Sequence, residues 1–171
     1  MSDSLRAAIR DVVDFPKPGI VFKDITPLLA DGKLFRESIS LLCATAEGQA
    51  VDKVVGIDAR GFIFAAAVAD RIGAGLIPIR KKGKLPWLTR QTSYLLEYGE
   101  AVMELHEDAI QPGERVLIVD DLLATGGTAV AAVQLLADLG ASIVGISVLI
   151  ELEFLRGRKH LPCPVRSILT Y

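Results

Sequence analysis

The sequence predicts an α/β fold, a mostly parallel, twisted sheet flanked by helices. Two observations carry this expectation. Apolar β-branched runs alternate with helical stretches twice over: Lys53–Ile57, Phe62–Ile72 and Gly75–Ile79, then Val116–Val119, Ala129–Leu136 and Ser142–Glu151. Strand, helix, strand in succession implies a parallel sheet with helices on its faces. The chain also has 171 residues, 51% of them hydrophobic, which suits a single domain with a substantial core.

The elements follow in order. Ser4 is placed to cap a first helix from Leu5 to about Val13, with Leu5, Ile9 and Val12/Val13 on one stripe. Phe15-Pro16-Lys17-Pro18-Gly19 stops it, because proline cannot continue a helix. Ile20–Ile25 reads as extended or looped, Thr26-Pro27 as a turn, and Asp31-Gly32 as a break. Lys33–Gln49 has helical spacing in Leu34, Phe35, Ile39, Leu42 and Cys43. After Lys53–Ile57, the loop Asp58-Ala59-Arg60-Gly61 opens the alanine-rich helix 62–72. Arg80–Trp87 is basic and punctuated by Gly and Pro, hence loop. Thr92–Tyr98 and Ala101–His106 form the arms of a hairpin around Gly99. Pro112-Gly113 turns into Val116–Val119, a strand ending at Asp120 and Asp121. The following helix ends near Gly140, at a C′ position. Arg166–Thr170 is a last short strand.

The bulk numbers remove several function classes. A net charge of −2 offers no footprint for polymeric nucleic acid or an anionic membrane. No apolar run reaches the roughly 18 residues of a membrane span, and the charged N-terminus does not read as a signal peptide. Cys43 and Cys163 stand far apart in no CxxC pattern, which suits a reducing, cytoplasmic setting. No Cys/His/Asp cluster has metal-ligand spacing, and His106 and His160 read as structural.

Ligands in such sheets sit outside the carboxyl ends of the strands. Three loops fall there: 58–61, 80–98 and 120–128. In Ala124-Thr125-Gly126-Gly127-Thr128 the glycines let backbone N–H groups turn inward on an anion. The helix that follows adds about +0.5 charge at its N-terminus, and Thr125 and Thr128 add hydroxyl donors. No Lys follows these glycines, which excludes an NTPase P-loop, and no strand is followed by GxGxxG. Adjacent Asp120 and Asp121 suit two vicinal hydroxyls and a developing positive charge. Arg60 is a bidentate anion grip. Arg80-Lys81-Lys82-Gly83-Lys84 puts four cations into five residues at a strand end.

VLIVDDLLATGGTA resembles the phosphoribosyl pyrophosphate (PRPP) motif of type I phosphoribosyltransferases. The resemblance implies that family's fold over the whole chain, with a small N-terminal hood of about residues 1–30. It implies that Asp120 and Asp121 hold the ribose 2′- and 3′-hydroxyls and that Ala124, Thr125, Gly126, Gly127 and Thr128 hold the 5′-phosphate. GIDARGFIFA is similar to the pyrophosphate loop of the adenine-specific branch, placing Asp58 and Arg60 on the substrate, with Arg60 catalytic. RKKGKLP resembles the branch's basic loop, implying pyrophosphate contacts from Arg80, Lys81 and Lys84. SYLLEYG resembles the loop that closes over PRPP. There Glu97 is implied as the catalytic group handling a purine proton, and Tyr98 as a substrate contact. FPKPGIVFKDITPL resembles the hood that reads the base: Phe22 stacking, Leu122 packing opposite, and the backbone of Val21 and Lys23 on the 6-amino edge.

The implied activity is purine salvage: adenine plus PRPP gives AMP plus pyrophosphate. Mg²⁺ is implied as cofactor, bound mainly through PRPP and pyrophosphate, and a homodimer as the assembly. Two alternatives stay open at this point. One is a hypoxanthine or xanthine phosphoribosyltransferase, and the other a non-catalytic PRPP- or purine-sensing regulator of the same fold.

Overall fold

The structure is a computed structural model that describes residues 2–96 and 99–171. It forms two compact units, one ending at Leu41 and the other running from Leu42 to Tyr171.

The first unit opens with a short helix α1 (Ser2–Ala7), then strands β1 (Arg10–Val13) and β2 (Val21–Asp24) in an antiparallel pair. This corrects the expected helix from Leu5 to Val13. Val12 and Val13 lie opposite Phe22 and Val21, and β-branched residues gain more from that cross-strand packing than from another helical turn. Ser4 lies inside α1 rather than at its cap. Phe15 and Phe22 meet edge to face, with ring centroids 5.2 Å apart. Thr26-Pro27 opens a helix, α2 (Thr26–Ala30), rather than a bare turn; Pro27 is tolerated there because the first helical N–H groups have no partner to lose. Asp31 Oδ1 accepts the N–H groups of Lys33 (2.8 Å) and Leu34 (3.1 Å), capping α3 (Gly32–Ala44). That helix stops five residues before the expected Gln49, in turns that end at left-handed Gly48.

The second unit contains one seven-stranded sheet in the order β5-β6-β4-β3-β7-β8-β9. Strands β3 (Lys53–Ile57), β4 (Gly75–Lys81), β7 (Arg115–Leu123), β8 (Ser142–Glu151) and β9 (Val165–Thr170) are parallel. The hairpin β5 (Thr89–Leu96) and β6 (Gly99–His106) adds an antiparallel edge to β4. Its arms are longer than the spacing predicts. Strand β4 also reaches Lys81, so Arg80 and Lys81 are in strand rather than loop, paired with Glu104 and Met103.

Two helices link the parallel strands: α4 (Gly61–Ile72) joins β3 to β4, and α5 (Gly127–Asp138) joins β7 to β8. From the central β3/β7 pair these crossovers leave in opposite directions, so right-handedness puts the helices on opposite faces. Side-chain placement agrees. Val55, Ile57, Val116 and Ile118 pack in one core with Ala132 and Leu135 of α5. Gly56, one residue out of phase, faces α4: a Cβ there would lie 2.7 Å from Ala65 Cβ. Phe64 of α4 is wholly buried, worth roughly 2–3 kcal/mol. Both helices close on a left-handed glycine, Gly73 and Gly140, with paired return hydrogen bonds.

Candidate active site

The cleft lies where the two crossovers diverge, at the carboxyl ends of β3 and β7. It encloses about 350 Å³ and is lined by residues 57–60 and 120–129. The structure thus brings together Asp58, Arg60, Asp120, Asp121, Leu122, Ala124, Thr125, Gly126, Gly127 and Thr128, as the sequence predicts.

The acids do not end the strand, contrary to the expected end at Asp120 and Asp121. Strand β7 continues to Leu123, held by pairing with β8 as far as Glu151. That ladder fixes the backbone under both carboxylates. Asp121 is 5% exposed, and its Oδ2 lies 2.9 Å from Arg60 Nε. The Asp121 N–H donates to Asp120 Oδ1 at 2.9 Å. Burial, then the neighbouring Asp121 charge, push the Asp120 carboxyl well above the usual carboxylate range. Burial raises Asp121 too, with Arg60 opposing it. Two acids and one guanidinium therefore form a site short of positive charge, suited to a ligand that brings some.

The turn after β7 has the backbone geometry of an anion cradle. Gly126 has φ +89°, in the left-handed region, and precedes the first residue of α5. Gly127 is already helical, so only one of the two glycines uses the left-handed freedom expected of both. The Asp58–Ala59 peptide is cis, and Arg60 stands at the N-terminus of α4.

Among the described residues, Arg80, Lys81 and Lys84 are not part of the cleft lining. Arg80 sits beside it, its Nε reaching Asp58 Oδ2 at 3.3 Å. Glu97 and Tyr98 lie outside the described residues. In the first unit, Val21 and Lys23 alternate with Phe22 on β2, so their backbone groups share one strand edge. The Lys23 ammonium pairs with Asp11 at 2.6 Å.

Three supporting residues escaped the sequence reading. A Cβ on Gly61 would fall 2.5 Å from Asp120 Oδ1, so α4 starts directly against that carboxylate. A Cβ on Gly157 would fall 2.2 Å from the Ala124 carbonyl oxygen and 2.8 Å from the Gly126 nitrogen. Gly157 opens a short 3-10 turn (Gly157–His160) that backs the anion cradle. Arg158 pins this turn to Glu151 through Nε (3.0 Å) and Nη2 (2.5 Å), and to the Val165 carbonyl at 2.7 Å. Gly61 closes the predicted loop Asp58-Ala59-Arg60-Gly61, whereas for Gly157 and Arg158 the sequence offers only a Gly-Arg pair after β8.

The Arg158 hydrogen bonds hold the buried Glu151 below its ordinary range, despite burial. A depressed acid contributes stability above its unfolded pKa, about 4.3, and loses it as pH falls through the folded value. The raised Asp120 and Asp121 act with opposite sign, costing stability as pH rises past about 4. We expect Glu151→Gln to lose less stability than the wild type, or to gain more, on acidification from about pH 5 to 3, because it lacks the Glu151 contribution. An unchanged acid slope in the variant's thermal melts would remove that contribution.

A strand-end cleft with paired acids, a glycine cradle and a parallel sheet defines a sugar-phosphate-binding α/β protein. A family model described as "Phosphoribosyl transferase domain" matches residues 29–162. The chain is 58% identical to the adenine phosphoribosyltransferase of Anaeromyxobacter dehalogenans (strain 2CP-C), over all of both chains. The crystal structure of adenine phosphoribosyltransferase from Thermoanaerobacter pseudethanolicus superposes with a TM-score of 0.98 at 46% identity, covering all of both chains. The Saccharomyces cerevisiae enzyme, solved with an imino-altritol bisphosphate and adenine, gives 0.94 at 37% identity over 98% of each chain. The chain belongs to the phosphoribosyltransferase family, in its adenine phosphoribosyltransferase branch.

Proposed function

We propose that this chain transfers the 5-phosphoribosyl group of PRPP to adenine, giving AMP and pyrophosphate in purine salvage. The carrying observation is the convergence of Arg60, the paired acids and the glycine cradle in one cleft. The full-length likeness to adenine phosphoribosyltransferases supports adenine over hypoxanthine or xanthine. The test is product formation from each base with PRPP. AMP from adenine is the expected result; turnover of hypoxanthine alone would reject the assignment, and PRPP binding without turnover would favour a regulator.

In the reaction the C1′–O bond to pyrophosphate breaks, N9 of adenine bonds to C1′, and a purine proton is lost. Asp120 and Asp121 accept the ribose hydroxyls and offset positive charge at C1′. Residues 124–128 hold the 5′-phosphate. Arg60, Arg80, Lys81 and Lys84 stabilise the departing pyrophosphate, with Asp58 orienting Arg80. Val21, Phe22, Lys23 and Leu122 read the base, and Tyr98 contacts the substrate. Among the described residues no group of three or more His, Cys, Asp or Glu is placed to hold a metal. Mg²⁺ would be held mainly by PRPP and pyrophosphate oxygens, with the hard carboxylate oxygens of Asp120 and Asp121 the protein groups able to face it, and would neutralise charge on pyrophosphate.

We assign Glu97 the purine proton. Glu97→Gln should lower kcat by about 100-fold while leaving the Kd for PRPP within about twofold; unchanged turnover would remove Glu97 from the catalytic set.

We read residues 1–171 as a single phosphoribosyltransferase domain, with about residues 1–30 as its N-terminal hood. A homodimer fits the exposure of Trp87 (67%) and Leu88 (65%) beside the basic segment. A cytoplasmic location fits the free thiols of Cys43 and Cys163. Among the described residues no helix is long and apolar enough to cross a membrane.

A further inference from the structure

Glu104 on β6 is 2% exposed, and the reaction above does not use it. Its Oε1 accepts the backbone N–H groups of Lys84 (2.8 Å) and Leu85 (2.9 Å). Its Oε2 takes Gln91 Nε2 at 3.3 Å and Thr89 Oγ1 at 3.5 Å. These donors come from two segments, the turn after β4 and the first residues of β5. A buried carboxylate is costly unless its lone pairs are filled, and here both oxygens have donors.

Lys84 is gripped from its other side as well. Arg80, opposite Glu104 in the β4–β6 register, donates Nη1 to the Lys84 carbonyl at 3.3 Å. The same guanidinium reaches Asp58 in the cleft through Nε. Gly83 between them is left-handed, φ +81°. This turn crowds cations that repel one another, yet its backbone is tied down at Lys84 N–H, Lys84 C=O and Leu85 N–H. Fixing an exposed cationic turn so firmly serves an anion that must find its charges already in place.

We propose that Glu104 is a positioning residue: one buried carboxylate fixes the backbone of Lys84 and Leu85, together with the start of β5, so that Arg80–Lys84 form a preformed site for a diphosphate. The inference rests on the reading of this basic segment as the pyrophosphate contact. Glu104→Ala removes the acceptor; Glu104→Gln keeps a carbonyl oxygen able to take both backbone N–H groups.

The measurements are kcat, the KM of each substrate, and the Kd of magnesium pyrophosphate by calorimetry. Glu104→Ala should raise the PRPP KM and the pyrophosphate Kd roughly tenfold, with the adenine KM held within about twofold. Glu104→Gln should recover most of the loss. Adenine and PRPP KM rising in step would overturn the proposal, since a loosened fold would do that. Unchanged pyrophosphate affinity in Glu104→Ala beside a weakened Lys84→Ala overturns it alone; undiminished affinity in Lys84→Ala overturns the underlying reading and the proposal with it. Should Glu104→Ala not fold, hydrogen exchange on the native protein decides. The Lys84 and Leu85 amides should be protected, and more so with magnesium pyrophosphate. Exchange at free-peptide rates with and without it would overturn the proposal.

Discussion

Asp121→Asn is expected to lower kcat/KM for PRPP by about 100-fold or more while leaving the protein folded. The argument is electrostatic. Asp121 is buried on a strand whose ladder continues past it, so the asparagine side chain stays where the carboxylate was. What disappears is the negative charge, which Arg60 meets at 2.9 Å and which, in the proposed mechanism, offsets cationic character at the sugar. Stability should not suffer. Burial already raises the Asp121 carboxyl, so at neutral pH the fold bears a cost for keeping it ionised, and the amide removes that cost. Arg60, about a third exposed, can turn to water. Steady-state kinetics with thermal melts separate the outcomes: lost turnover with an unchanged or raised melting temperature is expected, whereas collapse of the fold would make Asp121 structural.

The second large effect is at Gly157, which touches none of the reacting groups. Gly157→Ala places a methyl 2.2 Å from the Ala124 oxygen, 2.8 Å from the Gly126 nitrogen and 2.9 Å from the Thr125 carbonyl carbon. All three are backbone atoms of the anion cradle and cannot rotate away. The 3-10 turn is not free to retreat either, because Arg158 ties it to buried Glu151. The cradle must yield, so the PRPP KM should rise tenfold or more and stability should fall by about 1–3 kcal/mol. Gly61→Ala makes a milder comparison, since its nearest clash is the movable end of the Asp120 side chain. A Gly157→Ala protein with a wild-type PRPP KM would show that the cradle does not depend on this support.

The sequence made the sheet legible wherever it is built from local signals. β3, α4, β8 and the hairpin are apolar or alternating runs bounded by Gly, Pro or charge, and they occur close to where the pattern puts them. The cleft was equally readable, because paired acids, small residues and a helix start are consecutive in the chain. Misreadings arose where a distant partner decides. Arg10–Val13 is a strand only because β2 lies beside it, and β7 outlasts its apolar run only because β8 continues to pair. Gly61, Gly157 and Glu104 serve segments remote in sequence, and no local pattern marks a residue whose role is to fit against someone else's backbone.

The Arg60–Asp121 ion pair carries a thermodynamic corollary. One guanidinium cannot serve Asp121 and a phosphate at full strength together. An anion that draws on Arg60 leaves Asp121 less compensated and raises its affinity for a proton. Linkage makes this reciprocal: whatever factor pyrophosphate applies to proton binding at Asp121, a proton there applies to pyrophosphate binding. Free pyrophosphate should therefore enter with net proton uptake, whereas a ligand that also brings positive charge to Asp121 cancels the exchange. In that sense the protons exchanged on binding should distinguish a lone leaving group from one still joined to its sugar.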